Sequence, residues 1–167
     1  MQSELLNALQ QRVIVLDGAM GTTLHAYDLP LSDYNGLENC SEVLVLTRPD
    51  VVRDIHESFM KVGCDAVMTN TFGGSVHVLA EFGLDDQAFE INRKAVEIAR
   101  QATEAHSTSE QPRFVVASLG PGTKLPSLGQ IGWDELLASY TEQARGLIAG
   151  HPDAMLVETC QDILQSK

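Results

Sequence analysis

Four short apolar runs, each followed by a segment of helical periodicity, are the feature that most constrains the fold of this chain of 167 residues. The runs start near residues 13, 66, 114 and 154. A short continuous apolar run is typical of a strand buried on both faces, as in a parallel sheet. Because amphipathic segments separate the runs, the sequence predicts an α/β fold with parallel strands.

The predicted elements alternate along the chain. Strands are predicted at Val13–Leu16, Ala66–Met68, Phe114–Ala117 and Ala154–Val157, and helices over 3–11, 47–62, 75–82, 85–102, 134–149 and from 160 onward. Thr47 and Pro49 predict the start of the second helix and Gly63 predicts its end. The buried face predicted for 134–149 consists of Leu136, Leu137, Tyr140, Ala144, Leu147 and Ile148. Residues 18–46 are predicted to be irregular.

Two geometries fit this alternation equally well. In a doubly wound sheet, four strands with their helices form a whole domain. In a (β/α)8 barrel they form half of one, since a barrel needs about 250 residues. Periodicity does not distinguish the two, and both place ligands at the carboxyl ends of the strands.

The composition excludes several classes of protein. With 44% apolar and 20% charged residues, the chain is globular rather than disordered or collagen-like. Its net charge of −12, without a cluster of Lys or Arg, argues against a nucleic-acid partner. No apolar run approaches the length of about 18 residues that a membrane span needs. The start of the chain lacks the pattern of a signal peptide.

The three cysteines, Cys40, Cys64 and Cys160, are odd in number and lie at unrelated spacings. This pattern indicates reduced thiols rather than a disulfide framework, and so predicts a cytoplasmic protein. No His and Cys spacing typical of a zinc site is present.

Small and polar residues gather directly after each apolar run. The first run is followed by Asp17-Gly18-Ala19-Met20-Gly21-Thr22. Glycine lets backbone N–H groups approach a ligand closely, so this turn suits an anion such as a carboxylate. Asp17 suits an ammonium group. A tight turn in which Asp17 accepts bonds from local amides explains the same residues.

The ends of the other runs carry further candidates. Asn70 and Thr71 follow the second run and suit either a ligand or the turn before a helix. Glu158 ends the fourth run, where a carboxylate on a barrel strand is usually placed for a ligand, the alternative being a solvated strand end. Gly120-Pro121-Gly122 lacks the Lys-Ser or Lys-Thr pair of a phosphate loop, which predicts a plain rigid loop.

Five segments occur in a specific order: Asp17-Gly18-Ala19-Met20-Gly21-Thr22, Leu46-Thr47-Arg48-Pro49-Asp50 with His56, Thr69-Asn70-Thr71-Phe72-Gly73, Gly120-Pro121-Gly122-Thr123-Lys124 and Glu158-Thr159. Each is weak alone, but together they resemble the homocysteine S-methyltransferase family. The resemblance extends from about Val13 to Lys167. Within the family, the chain is most similar to the homocysteine-binding domain of the cobalamin-dependent members.

The resemblance implies a (β/α)8 barrel, of which this chain is similar to the N-terminal half, about four β/α units. Residues 1–167 are then one truncated homocysteine-binding domain, with no second domain. The residues implied to bind homocysteine are Asp17, Gly18, Ala19, Met20, Asn70, Thr71 and Glu158. The backbone of the first loop would receive the carboxylate of homocysteine, and the two acids would lie near its amino group. The remaining two residues would shape the floor of the site.

Zinc and methylcobalamin are the cofactors that the resemblance implies. In the family, three cysteines hold a zinc ion that keeps the homocysteine thiol as a thiolate, which then attacks a methyl group. By the family pattern those cysteines lie beyond Lys167, so none of the cysteines of this chain is assigned to zinc and no catalytic residue is placed within it. The implied partners are homocysteine, the other half of the barrel, and folate and cobalamin domains.

Two alternatives stay open at this point. One is a betaine- or S-methylmethionine-dependent homocysteine methyltransferase of the same family, since the methyl donor would bind outside this chain. The other is a non-catalytic half-barrel that acts only after docking with a second chain.

Overall fold

The computed structural model describes residues 3–167, which contain one sheet of three parallel strands. The strands are β1 (Ala66–Met68), β2 (Phe114–Leu119) and β3 (Ala154–Val157), in the order β1-β2-β3. Val67 pairs with Val115, and Ala117 pairs with Met155. The predicted α/β class with parallel strands is confirmed.

The first predicted strand is only partly formed. It makes one parallel bridge, from Leu16 to Ala66, and the Asp65 carboxylate accepts the N–H of Val15 at 2.9 Å in place of a backbone carbonyl. The prediction that this run is buried on both faces is wrong: Val13 is 83% exposed and Val15 54% exposed. The run lies at an edge of the sheet, where the described residues cover it on one side.

The last strand also departs from the prediction of burial on both faces. Along β3, Ala154 and Leu156 are half-buried, whereas Met155 and Val157 are exposed. Because β3 pairs only with β2 among residues 3–167, its second edge is open. The face of β3 that carries Met155 and Val157 is also uncovered. An apolar run predicts a strand, but its burial depends on what packs against it.

Eight α-helices accompany the sheet in the described residues: α1 (Glu4–Gln11), α2 (Met20–His25), α3 (Leu44–Thr47), α4 (Pro49–Lys61), α5 (Val76–Leu79), α6 (Ala88–His106), α7 (Trp133–Ala149) and α8 (Ile163–Ser166). Short 3-10 helices cover Leu31–Tyr34, Ser41–Val43, Ala80–Phe82, Asp85–Gln87 and Pro126–Leu128. No helix in this part of the chain combines the length and apolarity that a membrane crossing requires.

Residues 18–46 are more ordered than predicted. They contain α2, two 3-10 helices and most of α3, and they bury Leu24, Val43 and Leu44 in the largest apolar cluster. The segment lacks a long periodic run, so its short helical turns depend on contacts with α4 and α6 rather than on local pattern.

The start of α4 differs from the prediction by one residue. Pro49 occupies the first helical turn as predicted, but Arg48, not Thr47, is the N-cap. Thr47 belongs to α3 and donates its hydroxyl to the carbonyl of Val43 at 3.2 Å. Gly63, with φ of 102°, lies just beyond the end of α4, as predicted.

The helices α4, α6 and α7 cover one face of the sheet. Val67, Val115 and Ala117 point into this layer, where they meet Met60 and Leu147. The opposite face of the sheet carries a smaller apolar cluster built from Leu5, Ala66, Phe114 and Val116, with Met68, Ala154 and Leu156 half-buried beside it.

The outer face of α7 is less buried than predicted. Leu136 and Leu147 are buried against the core, but Leu137 is 53% exposed and Ile148 is 58% exposed. Leu137 lines a surface groove together with Val157 of β3. The inward placement predicted for Leu137 and Ile148 is therefore wrong.

Candidate active site

A cleft of about 640 Å³ opens at the carboxyl ends of the strands. The loops that follow the first apolar run, β1, β2 and β3 all contribute to it. Six of the seven predicted site residues line this cleft: Asp17, Gly18, Ala19, Met20, Asn70 and Glu158. The parallel arrangement of the strands explains this, because their carboxyl ends meet at one edge of the sheet.

The Asp17 carboxylate accepts one backbone hydrogen bond and faces a histidine. Its Oδ1 accepts the backbone N–H of Met68 at 3.0 Å, which ties the end of the first run to β1. Its Oδ2 lies 3.8 Å from Nδ1 of His56 on α4. The Asp17 side chain is 3% exposed. An ionised carboxylate accepts about four hydrogen bonds, so Asp17 retains accepting capacity toward the cleft.

The loop after Asp17 presents backbone to the cleft. Gly18 packs so closely on Phe59 that an added Cβ would lie 3.1 Å from the ring. Ala19 is the N-cap of α2, and its carbonyl accepts the N–H of Thr23 at 3.3 Å. Among residues 3–167, no backbone carbonyl accepts the N–H of Gly18 or Ala19. These amides are therefore available to an anionic ligand group.

Asn70 and Thr71, predicted as a pair, occupy different positions. Asn70 lines the cleft and is fixed there by its own side chain, whose Nδ2 donates to the carbonyl of Ser41 at 2.7 Å. Thr71 is fully buried beneath the cleft, where its hydroxyl donates to the carbonyl of Ser118 at 2.7 Å. Its carbonyl accepts from Gln143 on α7 at 2.9 Å. Thr71 thus connects β2 and α7 below the cleft.

Glu158 is positioned by β2 as well as by its own strand. The Ser118 hydroxyl donates to its Oε1, and its backbone N–H donates to the carbonyl of Leu119 at 3.1 Å. The next residue, Thr159, has φ of 60°, a left-handed conformation that β-branched residues rarely adopt. Such backbone strain costs about 1–3 kcal/mol and concentrates at functional sites.

Glu42 is a cleft residue that the sequence does not reveal. It lies in a 3-10 helix within the stretch predicted to be irregular and is 7% exposed. Its Oε1 accepts the backbone N–H of Gly73 at 2.7 Å, and an added Cβ on Gly73 would lie only 2.8 Å from that oxygen. Burial raises the pKa of the Glu42 carboxyl above its ordinary value. The contact spans 31 residues, so no local pattern signals it.

The ionisable side chains that line the cleft are all acidic. Four carboxylates line it, and no Lys, Arg or His does so among the described residues; the four are Asp17, Glu42, Glu81 and Glu158. An anionic ligand group must therefore be held by backbone N–H groups and neutral side chains, whereas a cationic group meets carboxylates. The cleft is suited to a zwitterion whose two ends are recognised by different elements.

The loop Gly120-Pro121-Gly122 follows β2 and contributes Gly122 to the cleft lining, and helical residues fix it at both ends. Tyr140 on α7 donates its hydroxyl to the carbonyl of Gly120 at 2.9 Å, and burial raises the pKa of Tyr140 to about 12. Gly122 has φ of 71°, and an added Cβ would lie 2.1 Å from Nε2 of His77. Only glycine fits there, which agrees with a structural loop.

The three cysteines are free thiols that do not form a metal-binding cluster in the described residues. Burial raises the pKa of the Cys40 and Cys64 thiols to about 11, which keeps them protonated near neutral pH. A cysteine binds zinc as the thiolate. The described residues contain no cluster of three or more His, Cys, Asp or Glu side chains able to hold a metal ion. The residues present do not fit the family's zinc site.

The family assignment follows from a match along almost the whole chain. A sequence model of the family described as homocysteine S-methyltransferase matches residues 14–167. The chain belongs to the homocysteine S-methyltransferase family. All five motif segments fall inside the matched region, and the resemblance seen in the sequence is confirmed.

Two methionine synthases illustrate the relationship. The enzyme from Mycobacterium tuberculosis (strain ATCC 25618 / H37Rv) is 47% identical over 165 residues, and that from Mycobacterium leprae (strain TN) is 45% identical over the same length. Each match covers 99% of this chain but 14% of the relative. The chain therefore corresponds to about a seventh of the length of these enzymes.

Solved structures of the homocysteine methyltransferase MmuM from Escherichia coli share the fold. The oxidized form superposes with a TM-score of 0.77 at 22% identity, covering 96% of this chain and 58% of that one. The metallated form gives a TM-score of 0.76 at 23% identity, covering 94% of this chain and 57% of that one. At this level of identity, the likeness concerns the fold alone.

Proposed function

We propose that this chain supplies the part of a homocysteine methyltransferase that recognises the amino-acid end of homocysteine, for the formation of methionine. The observation that carries the proposal is the cleft itself, which gathers Asp17, Gly18, Ala19, Met20, Asn70 and Glu158 from three separate loops. The methionine synthases that share 45–47% identity with the chain support the choice of substrate.

The two ends of the amino acid would be recognised by different groups. Its ammonium would lie between the carboxylates of Asp17 and Glu158, whose orientations are fixed by Met68 and Ser118 respectively. Its carboxylate would accept N–H groups from the loop at Gly18. Asn70 would border the site, and Thr71 would support its floor from beneath, without touching the ligand.

We also propose that the chain forms the N-terminal half of a (β/α)8 barrel. Both outer edges of the sheet are apolar and partly uncovered in residues 3–167, as expected for strands that would pair with further strands. The coverage of 58% of MmuM supports this arrangement. The exposed side chains of α7 and β3 would then lie under the following β/α unit.

The chemistry at sulfur would depend on groups outside this chain. A zinc ion would supply thiolate activation, and methylcobalamin, bound by another part of a methionine-synthase-type protein, would be the methyl donor. We choose the methionine-synthase type over a betaine- or S-methylmethionine-dependent enzyme because the relatives that are 45–47% identical to the chain are methionine synthases. We place such a protein in the cytoplasm, because the chain's three cysteines are unpaired thiols.

The test replaces each proposed ammonium-binding carboxylate by its amide, with the chain joined to the rest of its domain. Asp17→Asn and Glu158→Gln each keep the side-chain shape but remove a charge. A charge-assisted hydrogen bond contributes about 1.5–3 kcal/mol, so each variant should bind homocysteine about 10- to 150-fold more weakly by calorimetric titration. The control is Glu104→Gln on α6, an exposed acid that lies outside the cleft lining.

The decisive comparison uses 4-mercaptobutanoic acid, a thiol of similar length that lacks the amino group. Its affinity should change little in either variant, because it never used the two carboxylates. Equal weakening of both thiols would show that Asp17 and Glu158 are structural and would reject the assigned roles. A wild-type domain that binds neither thiol would reject the proposed function.

A further inference from the structure

His56 is a buried histidine without a hydrogen-bond partner. It lies on α4, its side chain is fully buried, and both Nδ1 and Nε2 lack a partner within the described residues. Leaving a buried polar atom unsatisfied costs about 1–3 kcal/mol. Unsatisfied groups of this kind are few in native proteins and call for an explanation.

The surroundings of His56 on its own helix do not require a polar side chain. Val52 and Met60, one turn before and after it, are both buried and apolar. A leucine would fill similar space without unsatisfied nitrogens. Packing of α4 against the sheet therefore does not account for a histidine at this position.

The charged group facing His56 is Asp17. The distance from His56 Nδ1 to Asp17 Oδ2 is 3.8 Å, while the other oxygen, Oδ1, is already bonded to the N–H of Met68. A movement of about 0.6–1 Å would bring Nδ1 within hydrogen-bonding distance of Oδ2. Hydrogen bonds of binding and catalytic groups are often long in a ligand-free site and shorten when the ligand is bound.

We propose that His56 is a positioning residue for Asp17: its Nδ1–H donates to Asp17 Oδ2 and orients the carboxylate toward the ammonium group of the bound amino acid. This inference rests on the proposed function. Met68 and His56 then hold the two oxygens of Asp17 from different directions, which leaves the lone pairs that face the cleft for the ligand. His56 itself does not touch the substrate.

Two substitutions separate positioning from packing. His56→Leu removes the donor and both unsatisfied nitrogens, so the chain should remain as stable as the wild type or become more stable. Its affinity for homocysteine should nevertheless fall about 10-fold, the loss of one hydrogen bond. His56→Asn places an amide N–H close to the position of Nδ1 and should recover most of that affinity. Met60→Leu, one turn along α4, controls for altered packing of the helix.

A measurement without ligand keeps the inference separate from the proposed function. Magic-angle-spinning ¹⁵N spectra of the 167-residue chain, labelled in histidine, report the tautomer of each ring and tolerate association of the chain. His56, assigned by its disappearance in His56→Leu, should carry its proton on Nδ1, and Asp17→Asn should shift the Nδ1 resonance. Met60→Leu should leave that resonance in place.

Four results would overturn the inference. Two are spectroscopic: a proton on Nε2 with Nδ1 bare, or an Nδ1 resonance indifferent to Asp17→Asn. The third is a His56→Leu variant that binds homocysteine as tightly as the wild type. The fourth is an equal weakening of homocysteine and 4-mercaptobutanoic acid binding in that variant, which would assign His56 to packing. If the spectra agree with the inference but the wild type binds neither thiol, the proposed function fails and the His56–Asp17 contact stands.

Discussion

Individual side chains at the cleft are held in place by backbone groups from distant parts of the chain. Asp17 accepts from Met68, and Glu42 accepts from Gly73. In both pairs the acceptor is a nearly buried carboxylate and the donor is an amide in or just after β1. A carboxylate fixed in this way loses little side-chain conformational entropy when it binds a ligand. The free energy of binding is therefore not reduced by the cost of ordering that side chain.

The stability of the chain should depend on pH through Glu42. Because burial raises its pKa in the folded chain, the folded state holds the proton more tightly than the unfolded chain, whose carboxyl titrates near 4.5. Unfolding then releases protons, and the free energy of unfolding falls as pH rises from about 4.5 through the raised pKa. Glu42→Gln keeps an acceptor for Gly73 but cannot titrate. Thermal unfolding from pH 4 to 8 should show the variant gaining on the wild type as pH rises.

Asp50→Asn is the matched control for the pH experiment. Its hydrogen bond to Arg48 lowers the pKa of the Asp50 carboxyl, so any stability it contributes is present at neutral pH and lost as pH falls below about 3.8. From pH 4 to 8 the Asp50→Asn variant should therefore differ from the wild type by a nearly constant amount, whereas the Glu42→Gln variant should gain on it as pH rises. A constant difference between Glu42→Gln and the wild type across the range would contradict a buried, titrating Glu42.

The sequence predicted those cleft residues whose placement depends on the ends of strands, and it assigned no site role to residues defined by long-range contacts. Asp17, Asn70 and Glu158 follow apolar runs, and parallel strands bring such ends together whatever lies between them. Glu42 carries no such signal, and His56 appears only within a motif segment, without a site role. The first acts on a loop 31 residues away, and the second faces an aspartate 39 residues earlier in the chain.

At the level of elements, periodicity predicted the location of helices and strands better than their burial. On α6, the predicted face is buried, including Ile91, Ala95 and Ile98. On α7, the same kind of pattern placed Leu137 and Ile148 inside, where the structure exposes them. Periodicity reports which residues share a face, but a neighbour must be present before that face is buried.

The contact between α6 and α7 provides a test at this scale. At Gly146 an added Cβ would lie 2.5 Å from the carbonyl oxygen of Phe89, which is backbone and cannot rotate away. Gly146→Ala should therefore force the helices apart and lower the free energy of unfolding by about 1–3 kcal/mol, as measured by denaturant titration.

The control for this substitution is Gly21→Ala on α2. Gly21 is also helical, but nothing lies within 4 Å of its added Cβ, so stability should stay the same or rise with the better helix propensity of alanine. If Gly146→Ala and Gly21→Ala lower the free energy of unfolding equally, the loss at Gly146 does not come from the close approach of α6 and α7.

At the scale of the whole molecule, the exposed apolar residues of β3 predict association of the isolated chain. Met155 and Val157 lie on an edge strand, and such strands pair with other chains unless they are covered or charged. Light scattering at micromolar concentration should show oligomers or precipitation. Val157→Lys should reduce association, whereas Val62→Lys, at a more exposed position just beyond α4, should not.

A stable, cooperative monomer at micromolar concentration would count against the half-barrel and favour a self-sufficient doubly wound domain. The comparison of the two lysine variants distinguishes edge pairing from a general effect of added charge. If Val157→Lys and Val62→Lys reduce association equally, the added charge, and not the open edge of β3, determines whether the chain associates.

The burial of two thiols also makes the chain convenient to label. Cys40 and Cys64 are nearly inaccessible, and their pKa values of about 11 leave almost no reactive thiolate near neutral pH. Cys160 is partly exposed, two residues after Glu158 at the rim of the cleft. A maleimide dye should therefore attach at Cys160 without any mutation, and its fluorescence would report directly on what enters the cleft.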